Sequence, residues 1–377
     1  MKKDQKASKP FLTSRLASLD ALRGFDMFWI VGGELIFHSL AKLTGWSALI
    51  WISMQLEHAE WNGFTFYDMI FPLFLFIAGV SMPYSLSKRI DRGDSRKQIY
   101  WHVGKRMLLL VFFGMVYNGF FKFNWENMRY ASVLARIGLG WFFAALIFLN
   151  TNKRGQYIWF AGILIAYWLI MKLIPVPGYG AGDLSMEGSL AGYVDRLLLP
   201  GRLYRQIHDP EGILSTLPAI STALMGVLTG HFLRANKPEM TKLKKGIVIG
   251  VAGLIFLLLG YLWNLFFPIN KNLWTSSFVL CAGGWSLLLL SVFYLIMDVW
   301  NKKKWAFFFV IIGLNPITIY LCQQGIISFT DTSNFFFVGI IHYFPESANR
   351  LLNAIGYTFV SWLFLYILYR LKIFLRV

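Results

Sequence analysis

Apolar runs of about twenty residues recur along the whole chain, and they limit its fold more than any other feature. The sequence has 377 residues, of which 56% are hydrophobic, and its mean hydropathy is +0.54. A helix needs about 20 apolar residues to cross the hydrocarbon core of a bilayer. The sequence therefore predicts an all-α, polytopic membrane protein, a bundle of about ten transmembrane helices. The expected spans are 17–40, 63–87, 104–121, 131–150, 156–174, 213–233, 246–267, 276–298, 306–328 and 352–370.

The basic residues predict the orientation of this bundle. The formal net charge is +17, and 26 of the 36 Lys and Arg residues lie in short clusters on the side that carries both termini. Cytoplasmic segments of membrane proteins are enriched in Lys and Arg, so we expect both termini in the cytoplasm. Residues 1–15 are expected to be a cytoplasmic tail followed by a retained first helix, not a cleaved signal peptide. Because the clusters are short helix-end loops and not one continuous patch, they argue against nucleic-acid binding.

The remaining residues, 16–377, are expected to form one transmembrane domain in a bacterial inner membrane. Four segments are expected to face the periplasm: 41–62, 175–212, 268–275 and 329–351. Loops as long as 175–212 are usually functional or disordered. The sequence has no phosphate-binding loop, no dinucleotide fingerprint and no set of Cys and His residues spaced for a metal.

One histidine is the main candidate for chemistry. His58 lies between Glu57 and Glu60 and next to Trp61 and Asn62, directly before an apolar span. Histidine transfers protons readily near neutral pH, which favours a catalytic role. The alternative is an interfacial anchor, since aromatic residues often lie at the level of the lipid headgroups.

Ionisable residues inside the predicted spans are further candidates, because charges in a membrane are costly and often functional. Asp20 and Arg23 are three residues apart, which predicts an ion pair on one helix face. Glu34 and Asp68 have no obvious partner within their own helices. Arg136 is a candidate counter-ion for either of them.

Polar and aromatic residues of two periplasmic loops are expected to form a substrate lip near His58. Asp209 is also expected to cap the sixth span, with Pro210 in its first turn. Asn315-Pro316 is expected to interrupt the ninth span. The lip residues are His208, Asp209, Lys271, Asn272 and Trp274.

Six short motifs in order resemble the heparan-α-glucosaminide N-acetyltransferase family, including its bacterial relatives. The resemblance runs from about residue 15 to the C-terminus. The motifs are Arg15-Leu-Ala-Ser-Leu-Asp-Ala-Leu-Arg-Gly24, His58-Ala-Glu-Trp-Asn-Gly63, Asp68-Met-Ile-Phe-Pro-Leu-Phe-Leu-Phe-Ile77, Asp209-Pro-Glu-Gly-Ile-Leu214, Pro268-Ile-Asn-Lys-Asn-Leu-Trp274 and Gly313-Leu-Asn-Pro316.

The resemblance implies an enzyme that moves acetyl from cytosolic acetyl-CoA to the amine of a glucosamine-type sugar on the far side of the membrane. No metal is expected. The family's essential histidine falls on His58, and its first-helix asparagine falls on Glu34, which places both in the catalytic set. A carboxylate cannot donate the hydrogen bond that an amide donates, so Glu34 departs from the family's oxyanion chemistry. Gln323-Gln324 also departs from the His-Glu pair of the luminal-type members.

Several alternatives stay open at this stage. His58 is either a general base, which we favour, or a nucleophile that carries the acetyl group. Other functions that fit are a secondary transporter or flippase and an O-acyltransferase of envelope glycans. The expected partners are an amino sugar or heparan-type saccharide end and membrane lipid, and the alternative to a monomer is a homodimer. The expected substrate-binding residues are Trp61, Asn62, Asp68, Arg136, His208, Asp209, Lys271, Asn272 and Trp274.

Overall fold

The computed structural model describes residues 16–236 and 238–375, and the fold within these residues is a helical bundle. The tail 1–15 lies outside the described residues. The only strands among them form one two-stranded hairpin, Pro175–Val176 with Gly180–Ala181. The helices are α1 Ala17–Phe28, α2 Glu34–Thr44, α3 Ser47–Gln55, α4 Phe66–Asp91, α5 Arg96–Tyr117, α6 Val133–Asn150, α7 Lys153–Leu173, α8 Leu190–Leu198, α9 Thr216–Arg234, α10 Lys242–Trp263, α11 Ser276–Tyr294, α12 Phe307–Leu314, α13 Pro316–Leu321, α14 Phe329–Ile341 and α15 Glu346–Arg370.

The architecture is that of an integral membrane protein, and it confirms the predicted all-α fold. Within the described residues, eight helices are long and apolar enough to cross a membrane, and the bent pair α12–α13 makes nine. The predicted break in that pair is confirmed, since it bends by 60° at Asn315-Pro316. The predicted first span is divided between α1 and α2. They are joined by the π-helical turn Trp29–Gly33, in which Gly32 adopts a φ of 144°.

Some predicted boundaries were wrong. The third span begins at Arg96 and not near residue 104, because Ser95 and Gln98 form a capping box that starts the helix among the basic residues. Segments expected to be loops also contain helices, α3 in 41–62, α8 in 175–212 and α14 in 329–351.

Two helices, α4 and α9, form the centre of the bundle. A Cβ atom built on Gly79 would lie 2.1 Å from the carbonyl oxygen of Ala223, and one built on Gly226 would lie 2.1 Å from that of Phe76. These two glycines therefore permit the close backbone approach that is common between membrane helices. The contact fixes α4, whose first turn carries the residues described next.

The connections fall at two ends of the bundle. The basic end carries the turns after α4, α6, α9 and α11, and Arg234 pairs there with Asp91 at 3.3 Å. The other end, which we name the site end, carries His58 and the segments 118–132, 174–215 and 264–275.

Candidate functional site

A cavity of about 420 Å³ opens at the site end and reaches into the middle of the bundle. Its mouth is lined by charged and polar side chains, and its inner part is mostly apolar. His58, Asp68 and Lys271 lie on its wall, and Asp26 marks its inner part. Its other lining residues are Met27, Ile30, Ala59, Tyr67, Ile70, Phe71, Phe74, Tyr117, Arg129, Val133, Leu134, Ile137, Tyr204, Arg205, Pro210, Glu211, Asn272, Pro316, Ile317 and Tyr320.

His58 is oriented by Asp68, the third residue of α4. Asp68 forms a capping box with Thr65, whose backbone N–H donates to Asp68 Oδ2 at 3.1 Å. The same carboxylate accepts a hydrogen bond from His58 Nδ1 at 2.8 Å. A carboxylate only accepts, so Nδ1 carries the proton and Nε2 is left with its lone pair. This arrangement prepares Nε2 to act as a base.

Lys271 lies against the same histidine. Its Nζ is 3.0 Å from His58 Nδ1, 3.0 Å from His58 Nε2 and 3.5 Å from Asp68 Oδ1. A lysine ammonium only donates, so its acceptor on the ring is Nε2. Burial lowers the pKa of Lys271, and the nearby Asp68 opposes that shift. Three groups of the mouth therefore form one cluster, although they come from different parts of the chain.

Tyr67 lies between Glu34 and His58. The ring of Tyr67 packs on that of His58 with centroids 4.8 Å apart, and the hydroxyl of Tyr67 lies close to Glu34. Glu34 does not appear among the described residues that line the cavity. The structure therefore places Glu34 behind Tyr67, where it can position the histidine's neighbour.

The rim of the mouth is built by Arg129. Its Nε donates to Asp209 Oδ2 at 2.7 Å, and its guanidinium also pairs with Glu211 and lies 4.8 Å from the centre of the Tyr204 ring. Burial by itself raises the pKa of Asp209, but the hydrogen bonds and charge of Arg129 hold it below its ordinary value. The predicted helix cap was wrong, because α9 starts at Thr216 and Asp209 joins two loops instead.

The counter-ion role predicted for Arg136 was also wrong. Arg136 is 1% exposed and donates to the carbonyl of Gly212 at 3.1 Å and to Ser215 Oγ at 2.6 Å. Asp195 accepts the N–H of the same peptide group, from Ile213, at 2.8 Å. The two buried side chains hold this peptide from both sides, so Arg136 supports the rim and contacts neither Glu34 nor Asp68.

Two expected lip residues lie beneath the rim, outside the cavity lining. Trp274 is 1% exposed, packs on Phe71 and donates from Nε1 to Thr222 Oγ1 at 3.2 Å. His208 is 1% exposed and contacts the ring of Trp61 edge-on at 5.0 Å. Burial lowers the pKa of His208, which favours its neutral form. These placements differ from the expectation of direct substrate contact.

The remaining expected substrate-binding residues fall into two groups. Lys271 and Asn272 line the cavity mouth. Trp61 instead donates from Nε1 to the carbonyl of Leu184 at 2.9 Å, and Asn62 Oδ1 accepts from Asn270 at 3.1 Å. Trp61 and Asn62 therefore hold the loops around the mouth together.

Sequence reasoning missed several residues of the cavity. Arg129 and Tyr67 lie outside the six motifs, and only their contacts across the fold bring them to the mouth. Glu211 lies within the motif that begins at Asp209, but its place in the cavity lining was not predicted. Asp26 had a signal, since it is an ionisable residue within a span. It is 1% exposed, and neither of its carboxylate oxygens has a hydrogen-bond partner among the described residues. Within those residues, no group of three or more His, Cys, Asp and Glu side chains is placed to hold a metal ion.

Comparisons with known proteins agree with the motifs. A family described as "Domain of unknown function (DUF5009)" matches residues 15–125. The human heparan-alpha-glucosaminide N-acetyltransferase is 29% identical over 97% of this chain and 60% of its own length. The mouse protein of the same name is 28% identical over 85% of this chain and 56% of its own length. The chain thus spans little more than half the length of these curated relatives. The resemblance of this chain to the heparan-α-glucosaminide N-acetyltransferase family is thereby confirmed over most of its length.

Proposed function

We propose that this chain is an acetyl-CoA-dependent N-acetyltransferase that acetylates the amine of an amino sugar, with His58 as general base. The observation that carries the proposal is the His58–Asp68 hydrogen bond of 2.8 Å on the wall of a cavity. The printed name of the curated relatives, an N-acetyltransferase acting on a heparan glucosaminide, supports the reaction class.

The chemistry needs one group that accepts and returns a proton. The neutral sugar nitrogen attacks the thioester carbonyl carbon, and His58 Nε2 takes the proton that the nitrogen loses. Asp68 stabilises the imidazolium that forms, as a carboxylate does for a catalytic histidine. The C–S bond then breaks, and the departing CoA sulfur receives the proton from Nε2. The products are the sugar acetamide and CoA thiol, with His58 neutral again.

The acetyl donor fits the inner part of the cavity. This part is lined by apolar side chains, among them Met27, Phe74 and Ile317. It contains the carboxyl group of Asp26, which has no hydrogen-bond partner among the described residues. A pantetheine arm has apolar segments and amide N–H groups, so Asp26 offers the acceptor that these amides require. The anionic nucleotide suits the basic end, which the positive-inside rule assigns to the cytoplasm.

The amino sugar is assigned to the mouth of the cavity. Lys271 and Asn272 line this mouth beside His58, together with Glu211 and Tyr204. The group is polar and aromatic, which is the chemistry that a sugar ring requires. With the basic end in the cytoplasm, the mouth faces the periplasm, so donor and acceptor approach His58 from opposite ends.

The test is release of CoA thiol by the detergent-purified protein in the presence of acetyl-CoA and glucosamine. Thiol release that requires glucosamine and does not occur with glucose supports transfer to nitrogen and argues against an O-acyltransferase. His58→Ala should lower turnover at least about 10²-fold, the typical effect of one proton-transfer group. His342→Ala is the matched control, since His342 is exposed at the same end and outside the cavity lining. Wild-type turnover in His58→Ala would overturn the assignment.

A further inference from the structure

Lys271 places a primary amine where an acceptor amine must bind. Its Nζ is 3.0 Å from both ring nitrogens of His58, within reach of the base assigned above. Lys271 is the one lysine among the described residues that line the cavity. A donor thioester in the inner cavity would therefore meet this amine as well as the sugar amine.

The loop that carries Lys271 is fixed from several directions. Asn270 Oδ1 accepts the backbone N–H of Leu273 at 2.8 Å, and Asn270 Nδ2 donates to Asn62 at 3.1 Å. Thr275 Oγ1 closes the loop by donating to the carbonyl of Pro268 at 2.8 Å. The Lys271 side chain is only 16% exposed. Its position beside His58 is therefore built into the loop.

The charges around Nζ act in opposite directions. Asp68 at 3.5 Å favours the ammonium, and Glu211 also attracts it, whereas burial lowers the pKa of Lys271. His58 is the group of this cluster that can accept a proton from Nζ and pass it on. Only the unprotonated amine attacks a carbonyl carbon, and these surroundings make that form more accessible than in an exposed lysine.

We propose that Lys271 is an internal acceptor: when no amino sugar occupies the mouth, the enzyme acetylates its own Lys271 Nζ. The inference rests on the proposed function. The Lys271 ammonium first releases one proton to solvent through the open mouth. The neutral Nζ then forms a bond to the thioester carbonyl carbon, His58 takes the second proton from Nζ, the C–S bond breaks, and the CoA sulfur receives that second proton. Acetyl-lysine carries no charge, so the ion pair with Asp68 is lost and the acetyl group fills the acceptor position. The modified enzyme is switched off, and bound amino sugar protects the active form.

The experiment uses the full chain in detergent with isotopically labelled acetyl-CoA. After timed incubation with and without glucosamine, peptide mass spectrometry measures the labelled acetyl group at each lysine. We expect Lys271 to be labelled in step with loss of activity, and glucosamine to slow the labelling. Lys42 is the internal control for acetylation in solution, since it is exposed at the same end and outside the cavity.

Variants separate enzymatic from chemical acetylation. His58→Asn should lower the rate of Lys271 labelling at least about 10²-fold and leave Lys42 unchanged. Lys271→Arg keeps a cation at this position and should show no labelling there and no time-dependent inactivation. Label on Lys271 should survive hydroxylamine, which removes an acetyl group from an imidazole. The same treatment therefore separates this modification from an acetyl group carried by His58.

The possible results distinguish failure of the Lys271 inference from failure of the proposed function. Acetylation of glucosamine without any label on Lys271 would overturn the inference and leave the proposed function intact. Equal labelling of Lys271 in wild type and His58→Asn would overturn it too, because the modification would then be chemical. If neither glucosamine nor Lys271 is acetylated, the proposed function itself fails.

Discussion

Asp68→Asn is the substitution that most directly tests how this site works. Three contacts of Asp68 are affected: Oδ1 accepts from His58 and lies 3.5 Å from Lys271 Nζ, and Oδ2 accepts from the backbone N–H of Thr65. An asparagine keeps one oxygen for the helix cap. Its amide nitrogen then faces His58 Nδ1 and donates to it. The proton of the ring moves to Nε2, and the base that the reaction needs is lost.

The expected magnitude follows from these contacts. In serine proteases the corresponding change from aspartate to asparagine leaves the geometry intact and lowers kcat by about 10⁴-fold. The contact of 2.8 Å is the same kind of hydrogen bond, but His58 keeps half of its side chain (51%) exposed, so water can compete for the ring. We therefore expect kcat to fall about 10²- to 10⁴-fold. The cap is retained, but the ion pair with Lys271 at 3.5 Å is lost, so the Tm should fall.

The assay is CoA thiol release with glucosamine, together with the Tm of the purified protein. Thr65→Ala is the matched control, because it removes a hydroxyl from the cap and leaves the His58–Asp68 hydrogen bond intact. A lost cap costs about 1 kcal/mol, so this variant should lose stability but stay within a few-fold of wild-type kcat. Wild-type kcat in Asp68→Asn, or equal losses in the two variants, would refute the tautomer argument.

Three further predictions concern topology, donor binding and pH. Cysteines placed at Ser47 and Ser185, in a background free of native cysteines, should react with an impermeant thiol reagent in intact cells. Labelling only after lysis would show that the topology is the opposite of the predicted one. Asp26→Ala should raise KM for acetyl-CoA about tenfold, the effect of losing one hydrogen bond, with KM for glucosamine unchanged. Burial raises the pKa of Asp195 to about 7, from an ordinary 3.8. Ionisation of Asp195 therefore disfavours the folded state, and the free energy of unfolding decreases as the pH rises from about 4 to 7. Asp195→Asn should remove this slope, so a Tm difference between the two proteins that is independent of pH would contradict it.

Local rules gave reliable predictions where the interacting residues are close in sequence. The predicted ion pair between Asp20 and Arg23 is confirmed at 3.1 Å, because residues three apart on a helix lie on one face. The break at Asn315-Pro316 is also confirmed. Its cause is local too, because proline has no backbone N–H to donate to the preceding turn of the helix. The membrane spans followed from hydropathy, which depends only on neighbouring residues.

Local rules were misleading where a tertiary partner was stronger. Asp209-Pro210 matches a helix start, yet Arg129 binds Asp209 from a loop that lies 80 positions earlier in the chain. A bidentate pair with a guanidinium outweighs a single capping hydrogen bond. Arg136 was likewise matched to carboxylates of other spans, whereas the fold brings it to the backbone of Gly212.

The sequence by itself determined that this chain is a helical membrane bundle and that His58 is its main candidate base. Only the tertiary structure decided what surrounds that histidine. Asp68 comes from the next helix, ten residues on, whereas Lys271 comes from a loop 213 residues away. Spacing along a chain reports contacts within one helix or turn. Contacts between distant segments depend on how the helices pack, and this packing places a histidine, a carboxylate and an amine in one cavity.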